Sequence, residues 1–360
     1  MIKLLHAADL HLDSPFSGLS PEQAAQKRAQ QRELLQRLSG LCRTRGCKLF
    51  LLSGDLFDGA HVYRDTVEAL MDALSGCGAE VFISPGNHDC LGTGSPYLTE
   101  HWPDNVHIFT KEYIECIAPE ELGCRVYGAG FHGMSAPALL EDFSAPQDGL
   151  VNLMVIHGDA LNPASDYNPI SNAQIAASKL DYLALGHIHK GGSVRAGKTL
   201  CAWPGCAMGR GFDELGEKGA LEVCIDAAGV QTQFLPLGAG KYEILEIEAG
   251  SDALAAAEDA LPAQALQDVY RIIFKGEAES PDLDAIYAAL SPRFSGLQLR
   301  DMTVPPVDLW SAASEDTLKG AYLRLLKEKY DAAPEGERAA IVFAARTGLA
   351  IMEQREVPVL

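Results

Sequence analysis

Five short pieces of this sequence carry residues that can hold metal ions: Asp9-Leu10-His11, Gly54-Asp55, Gly86-Asn87-His88-Asp89, His157-Gly158 and Gly186-His187-Ile188-His189. Their carboxylates, imidazoles and amide oxygen suit manganese, iron(II) or zinc. Side chains at i and i+2 of an extended chain point the same way. Asp9 with His11, and His187 with His189, are therefore expected to reach one ion from extended backbone. The neighbouring glycines allow sharp turns and close backbone approach. Two cations roughly 3.5–4 Å apart need a bridging group, and the Asp55 carboxylate is the natural choice. Any one piece is common by chance; all five, in order in one chain, are not.

The elements that must position these pieces read as alternating strands and helices. Apolar runs at 2–8, 48–53, 80–84, 150–156 and 181–185 each end at one of the five pieces. Helical spacing appears between them, as in Leu34, Leu35, Leu38 and Leu41 over 22–45. This rhythm implies a sheet with parallel strands and covering helices. Ligands in such sheets bind at the carboxyl ends of strands, so the five pieces are expected to converge on one cleft. After residue 190 the short runs 219–226 and 230–236 read as hairpins. A boundary falls near 240; beyond it lie strands at 242–247 and 270–275 and helices at 283–290, 314–329 and 335–350.

The chain of 360 residues is 47% hydrophobic and 22% charged, the composition of a folded domain pair rather than a disordered or fibrous chain. No apolar run reaches the roughly 18 residues of a membrane helix, and no secretory signal is visible, so a cytoplasmic location is expected. A net charge of −20 argues against nonspecific binding to nucleic acid or anionic membranes. The nine cysteines form no C-x-x-C pair and read as reduced thiols.

The order D-x-H, GD, GNHD, HGD, GHIH resembles the calcineurin-like metallophosphoesterases over residues 1–240. Within them the chain looks most like the bacterial SbcD and YhaO-like DNA repair exonucleases, through LLHAADLHLDSPF, SGDLFD, SPGNHD, LALGHIHKG and FDELGEKG. The resemblance implies an α/β, four-layer fold of two mixed β-sheets flanked by helices. A smaller α+β C-terminal cap domain would follow, with domains at 1–240 and 241–360. It implies two divalent ions, Mn2+ in the first place, with Fe2+ or Zn2+ as alternatives. Asp9, His11, Asp55 and His189 would hold the first ion; Asp55, Asn87, His157 and His187 the second. A metal-bridging hydroxide would attack phosphorus, with His88 assisting the leaving group. Asp89 either orients His88 or caps the following turn. DNA is the implied substrate, an SbcC-like coiled-coil ATPase the implied partner, and a homodimer the implied assembly. One departure stands out: some nucleases of this family carry a histidine three residues after the bridging aspartate, where this chain has Asp58, and His61 is a nearby substitute.

Other residues have both a functional and a structural reading. Between 27 and 48, seven cations (Lys27, Arg28, Arg32, Arg37, Arg43, Arg45, Lys48) face one acid, Glu33. They form either a phosphate-contacting face or the solvated side of a helix. Tyr97 and Trp102 stack a base or pack their loop. His6, His101, His107 and His132 are read as structural, and Arg210 and Phe212 as part of a glycine-rich loop. Leu318, Tyr322, Leu325 and Leu326 are expected to share one helix face, for a partner or for burial. Three functions compete: a two-metal DNA exonuclease, a phosphodiesterase or phosphatase on a small molecule or phosphoprotein, and a metal-containing scaffold for an ATPase.

Overall fold

The computed structural model describes all residues except 18–20, 60–61, 120, 306–308 and 355–360. His61 lies outside the described residues. The chain begins β1 (Ile2–Ala7), α1 (Pro21–Arg45), β2 (Leu49–Leu52), α2 (Arg64–Ser75), β3 (Glu80–Ile83), α3 (Pro96–Thr99) and β4 (Val106–Ile108). The four strands pair in parallel, as the alternating rhythm predicts. There follow β5 (Glu115–Ile117), β6 (Cys124–Gly128), β7 (Val151–His157), α4 (Asn172–Ser178), β8 (Tyr182–Gly186), β9 (Lys190–Ala196) and β10 (Thr199–Gly205). These build a second sheet in the order β5-β6-β7-β8-β10-β9, antiparallel only at its two edges. The hairpin β11 (Gly219–Asp226) and β12 (Gly229–Pro236) then returns to the first sheet beside β1, giving β12-β11-β1-β2-β3-β4.

Period-two alternation assigns each strand residue to a layer. Leu4, Leu49, Leu51 and Phe82 face Leu153, Val155, Tyr182 and Ala184 in one core between the sheets. The alternate residues Leu5, Ala7, Phe50 and Leu52 pack under α1 and α2 with Leu34, Leu35, Leu38, Val67 and Leu70. Met154, Ile156, Leu183 and Leu185 do the same on the far side of the second sheet, against Ile175 of α4. Strands buried on both faces must be apolar throughout, which is why their runs are continuous in the sequence. The result is two six-stranded mixed sheets flanked by helices, the fold class expected.

Four of the seven cations of 27–48 are tied into the structure. Arg37 donates to the carbonyls of Leu237 (2.9 Å) and Gly238 (2.7 Å), and Arg43 to that of Gly76 (2.8 Å). Arg45 pairs with Glu222 at 2.7 Å, and Lys27 is buried. All nine cysteines are free thiols.

The chain divides into two compact units: Met1–Leu245 with Gln264–Arg271 and Ser291–Leu297, and Glu246–Ala263 with Ile272–Leu290 and Gln298–Leu360. A three-stranded sheet has the order β13 (Tyr242–Glu248), β14 (Ala265–Lys275), β15 (Phe294–Asp301). The second unit carries α5 (Ala253–Ala260), α6 (Leu283–Leu290), α7 (Leu318–Ala332) and α8 (Glu335–Met352). In α7, Tyr322 and Leu326 pack against the buried cluster of Leu309, Leu323 and Ala345, while Leu318 and Leu325 are exposed. The four residues therefore do not share one face: Leu323, not Leu325, marks the inward side. No helix among the described residues is long and apolar enough to cross a membrane.

Candidate metal centre

All five pieces lie in the first unit, at the ends of β1, β2, β3, β7 and β8. The loops after β1 and β2 are joined by backbone bonds from Asp9 N–H to the Gly54 carbonyl (3.1 Å) and from His11 N–H to the Asp55 carbonyl (3.0 Å). Asp9, His11, Asp55 and His187 have φ of 51°, 43°, 50° and 92°. The extended-chain argument for Asp9 with His11, and for His187 with His189, therefore does not hold. Left-handed turns aim these side chains, a conformation that costs a non-glycine residue energy and persists where the surroundings enforce it. Gly54, at φ 84°, faces the His157 ring so closely that a Cβ would sit 2.6 Å from Nδ1. A Cβ at Gly86 would strike the Asp55 carboxylate, and one at Gly186 the Ser53 carbonyl.

Two groups of three residues place ligand atoms within 4.8 Å of one another: Asp9, His11 and His189, and Asp9, Asp55 and His157. Asp55 Oδ2 lies 3.9 Å from His11 Nε2 and 3.4 Å from His157 Nε2, between the two sets. Asn87 Oδ1 is 3.0 Å from His157 Nε2. His187 enters neither group. Its N–H donates to the Asp9 carboxylate (3.0 and 3.1 Å), and its ring lies edge-on to His157 at 5.2 Å. The third such group is His11, Asp58 and His88.

The hydrogen bonds on the far side of each ring test whether these residues fit a cation. His157 Nδ1 donates to the Ser53 carbonyl (2.9 Å), and burial pushes the imidazole down to about 4, so the neutral ring presents a lone pair at Nε2. That lone pair faces carboxylate and amide oxygens. His11 Nδ1 lies 2.8 Å from Asp58 Oδ1, and His189 Nδ1 lies 2.7 Å from Glu214 Oε1. A carboxylate only accepts, so both rings carry their proton at Nδ1 and turn lone pairs toward each other, Nε2 to Nε2, at 3.1 Å. Buried Asp9 is pushed up by desolvation and by the Asp55 charge. Facing lone pairs among buried carboxylates repel in the absence of a cation and become a ligand set in its presence. The donor set fits divalent ions.

The outer partners form a brace. Arg210 Nη1 bonds Asp58 Oδ1 at 2.7 Å, and Arg210 Nη2 bonds Glu214 Oε1 at 2.8 Å. Burial alone raises both carboxyls. The hydrogen bond from His11 together with the Arg210 charge holds Asp58 below its ordinary value, and bonds from His189 and Arg210 hold Glu214 below its own. Such outer carboxylates fix ring orientation and make the imidazole a better donor. No motif spacing announces this role for Asp58, Arg210 and Glu214. The one trace of it in the sequence is the i, i+4 spacing of Arg210 and Glu214 in a glycine-rich stretch.

His88 Nδ1 donates to the Asp58 carbonyl at 3.2 Å, which leaves Nε2 on the open side of a side chain that is 40% exposed. Asp89 does not orient it. The Asp89 carboxylate accepts from the N–H groups of Gly86 (2.7 Å), Asp55 (3.2 Å), Leu56 (2.7 Å) and Phe57 (3.3 Å), and from the Tyr97 hydroxyl (2.6 Å). It is a turn-holding residue for two ligand loops, the second of its two sequence readings. Tyr97 is buried and stacks on Trp102 at 5.8 Å, packing the loop rather than offering a base platform. His6, wholly buried, bonds Ser53 Oγ (2.7 Å) and the Tyr182 hydroxyl (2.9 Å). His107 pairs with Glu80 at 2.8 Å, and His132 bonds the Thr110 carbonyl at 3.0 Å.

A family model described as calcineurin-like phosphoesterase matches residues 2–191. The chain is 32% identical over 248 residues to an uncharacterized metallophosphoesterase, YhaO, of Bacillus subtilis (strain 168), covering 65% of this chain and 60% of that relative. The match thus spans less than two thirds of the relative's length. Among solved structures, TT1561 of Thermus thermophilus aligns with 65% of this chain and 98% of its own, at 13% identity and a TM-score of 0.39.

Proposed function

Because the chain belongs to the calcineurin-like phosphoesterase family, we propose that this metal-dependent phosphoesterase is a DNA exonuclease acting in repair. The observation that carries a metal-dependent reaction is the pair of histidines whose Nε2 atoms face each other at 3.1 Å. Asp9, His11, Asp55 and His189 would hold one divalent cation, and Asp55, Asn87, His157 and His187 a second. When bound, such ions supply Lewis-acid polarisation of a phosphoryl oxygen and an acidified water. The protein's own part is positional. Asp58, Glu214 and Ser53 hold three rings with their lone pairs inward. His88, anchored through Nδ1, keeps Nε2 available to carry a proton to the leaving oxygen.

A phosphodiesterase on small molecules is the second reading. It is favoured by the −20 charge and by the engagement of Arg37, Arg43 and Arg45 in bonds to the protein itself. An SbcC-like ATPase is the proposed source of the missing DNA affinity. The test incubates the full chain with Mn2+ and compares end-labelled single- and double-stranded DNA with bis(p-nitrophenyl) phosphate. Shortening of DNA from an end is expected. Turnover of the chromogenic diester alone favours the second reading. An Asp55→Ala protein that keeps two ions and full turnover removes the centre itself.

A further inference from the structure

Beside the metal centre lies a cavity of about 430 Å3 that shares His189 as one wall. It opens between β9 and β12, the edge strands of the two sheets. Its volume falls in the roughly 300–1,000 Å3 range of ligand sites. Gly191, Gly192 and Ser193 of β9 line one side, Thr232 and Phe234 of β12 the other, and Lys218 is among the remaining lining residues.

Three features of the lining point to a ligand. First, Lys218 is only 9% exposed, yet its ammonium has no hydrogen-bond or ion-pair partner among the described residues. Its Nζ is not among the wholly buried unpaired atoms, so an unpaired ammonium that keeps solvent contact is free to take an anion. Second, Phe234 is 40% exposed, a large apolar ring left uncovered at the cavity. Third, two of the three β9 residues at the wall lack a side chain for a steric reason. A Cβ at Gly192 would sit 2.9 Å from the Trp203 ring, and one at Gly191 would sit 2.9 Å from the Pro204 carbonyl. The indole itself is pinned, its Nε1 donating to the Lys190 carbonyl at 3.0 Å. An edge strand also leaves peptide groups free to bond the edge of a heterocycle.

We propose that this cavity is a substrate subsite for a phosphorylated nucleoside unit. Phe234 takes a face of the base, and Lys218 takes the phosphate one unit away from the scissile one at the metal centre. This rests on the phosphoesterase reading and deepens it. The enzyme would recognise two successive phosphates with a nucleoside between them, whether from single-stranded DNA or from a free nucleotide.

The test measures binding rather than turnover. Thymidine 3′,5′-bisphosphate is titrated calorimetrically into the full chain, with and without Mn2+, beside thymidine and a short single-stranded oligothymidylate. Lys218→Met is expected to weaken the bisphosphate by about 10–100-fold, the scale of one charge-assisted bond. Thr232→Trp, at an exposed position, is expected to weaken it by filling the cavity, and it covers the case in which Lys218→Met does not fold. Arg64→Ala, on the distant surface of α2, should bind as the wild type. Competition between oligothymidylate and the bisphosphate identifies DNA as the source; its absence identifies a free nucleotide. Wild-type affinity in both cavity variants, or binding that depends on Mn2+ alone, overturns the subsite and leaves the phosphoesterase reading standing. Lysine-dependent binding by a chain that shortens no DNA in the Mn2+ assay above overturns the exonuclease reading and leaves the subsite.

Discussion

His11 and His189 are separated by 178 residues, yet their Nε2 atoms lie 3.1 Å apart. Each ring is held from behind by a carboxylate, and Arg210 ties those two carboxylates together. The arginine sets the spacing of the pair without touching the ion they would share.

Removing the brace should therefore loosen one ion more than the other. In Arg210→Ala, affinity for the ion held by His11 and His189 should fall roughly 10–100-fold, the usual scale for outer-partner changes. The ion at Asn87 and His157 should be retained. A Mn2+ titration of wild type and variant separates the two sites. Two ions bound at wild-type affinity would show that the brace is dispensable.

His88 is bonded through Nδ1 to the Asp58 carbonyl and lies outside the two proposed ligand sets. His88→Ala should keep its metal content and lose about 10²–10⁴-fold in rate. The loss should shrink with a p-nitrophenolate leaving group, which departs without a proton. Metal content measured beside kcat checks this; a fall in both together would make His88 a ligand.

Asp89 holds four backbone N–H groups and a tyrosine hydroxyl in a buried turn. Asp89→Ala should destabilise the protein by roughly 3 kcal/mol or more, because buried donors left unpaired cost about 1–3 kcal/mol each. Asp89→Asn, which keeps an acceptor, should lose less. Urea unfolding measures both. A variant with wild-type stability and only a slower reaction would return Asp89 to the role of orienting His88.

Burial lowers His6 from 6.5 to about 3, with the Leu185 backbone opposing that shift. The unfolded chain then binds the His6 proton more readily than the folded one. The penalty is absent above pH 6.5 and grows as pH falls from there toward 3, at about 1.4 kcal/mol per pH unit at most. His6→Gln, which cannot titrate, should be less stable than wild type at pH 8 and should lose less on going from pH 6.5 to pH 4. Parallel loss in both proteins, followed by thermal melting, would place the acid sensitivity elsewhere.

Much of this protein was decided along the chain. The buried strands had to be continuous apolar runs because both their faces are covered, and the chemistry-bearing residues had to follow them because strand ends are where side chains escape the core. The covering helices of the first sheet were legible from the spacing of Leu34, Leu35 and Leu38. The strands β4 and β5 were not, being three residues each and too short for a period. The Ala-rich α5 offered no apolar stripe. What only the tertiary structure decided is how the ligands are aimed. Asp9, His11, Asp55 and His187 turn inward through left-handed backbone that no residue-type pattern announces. Asp58, Arg210 and Glu214 became partners of His11 and His189 only when the loop after β10 met the loop after β2. Alternation and composition act over neighbouring residues and can be read there. A hydrogen bond across 152 residues, like that of Arg210 to Asp58, exists only once the sheets have packed.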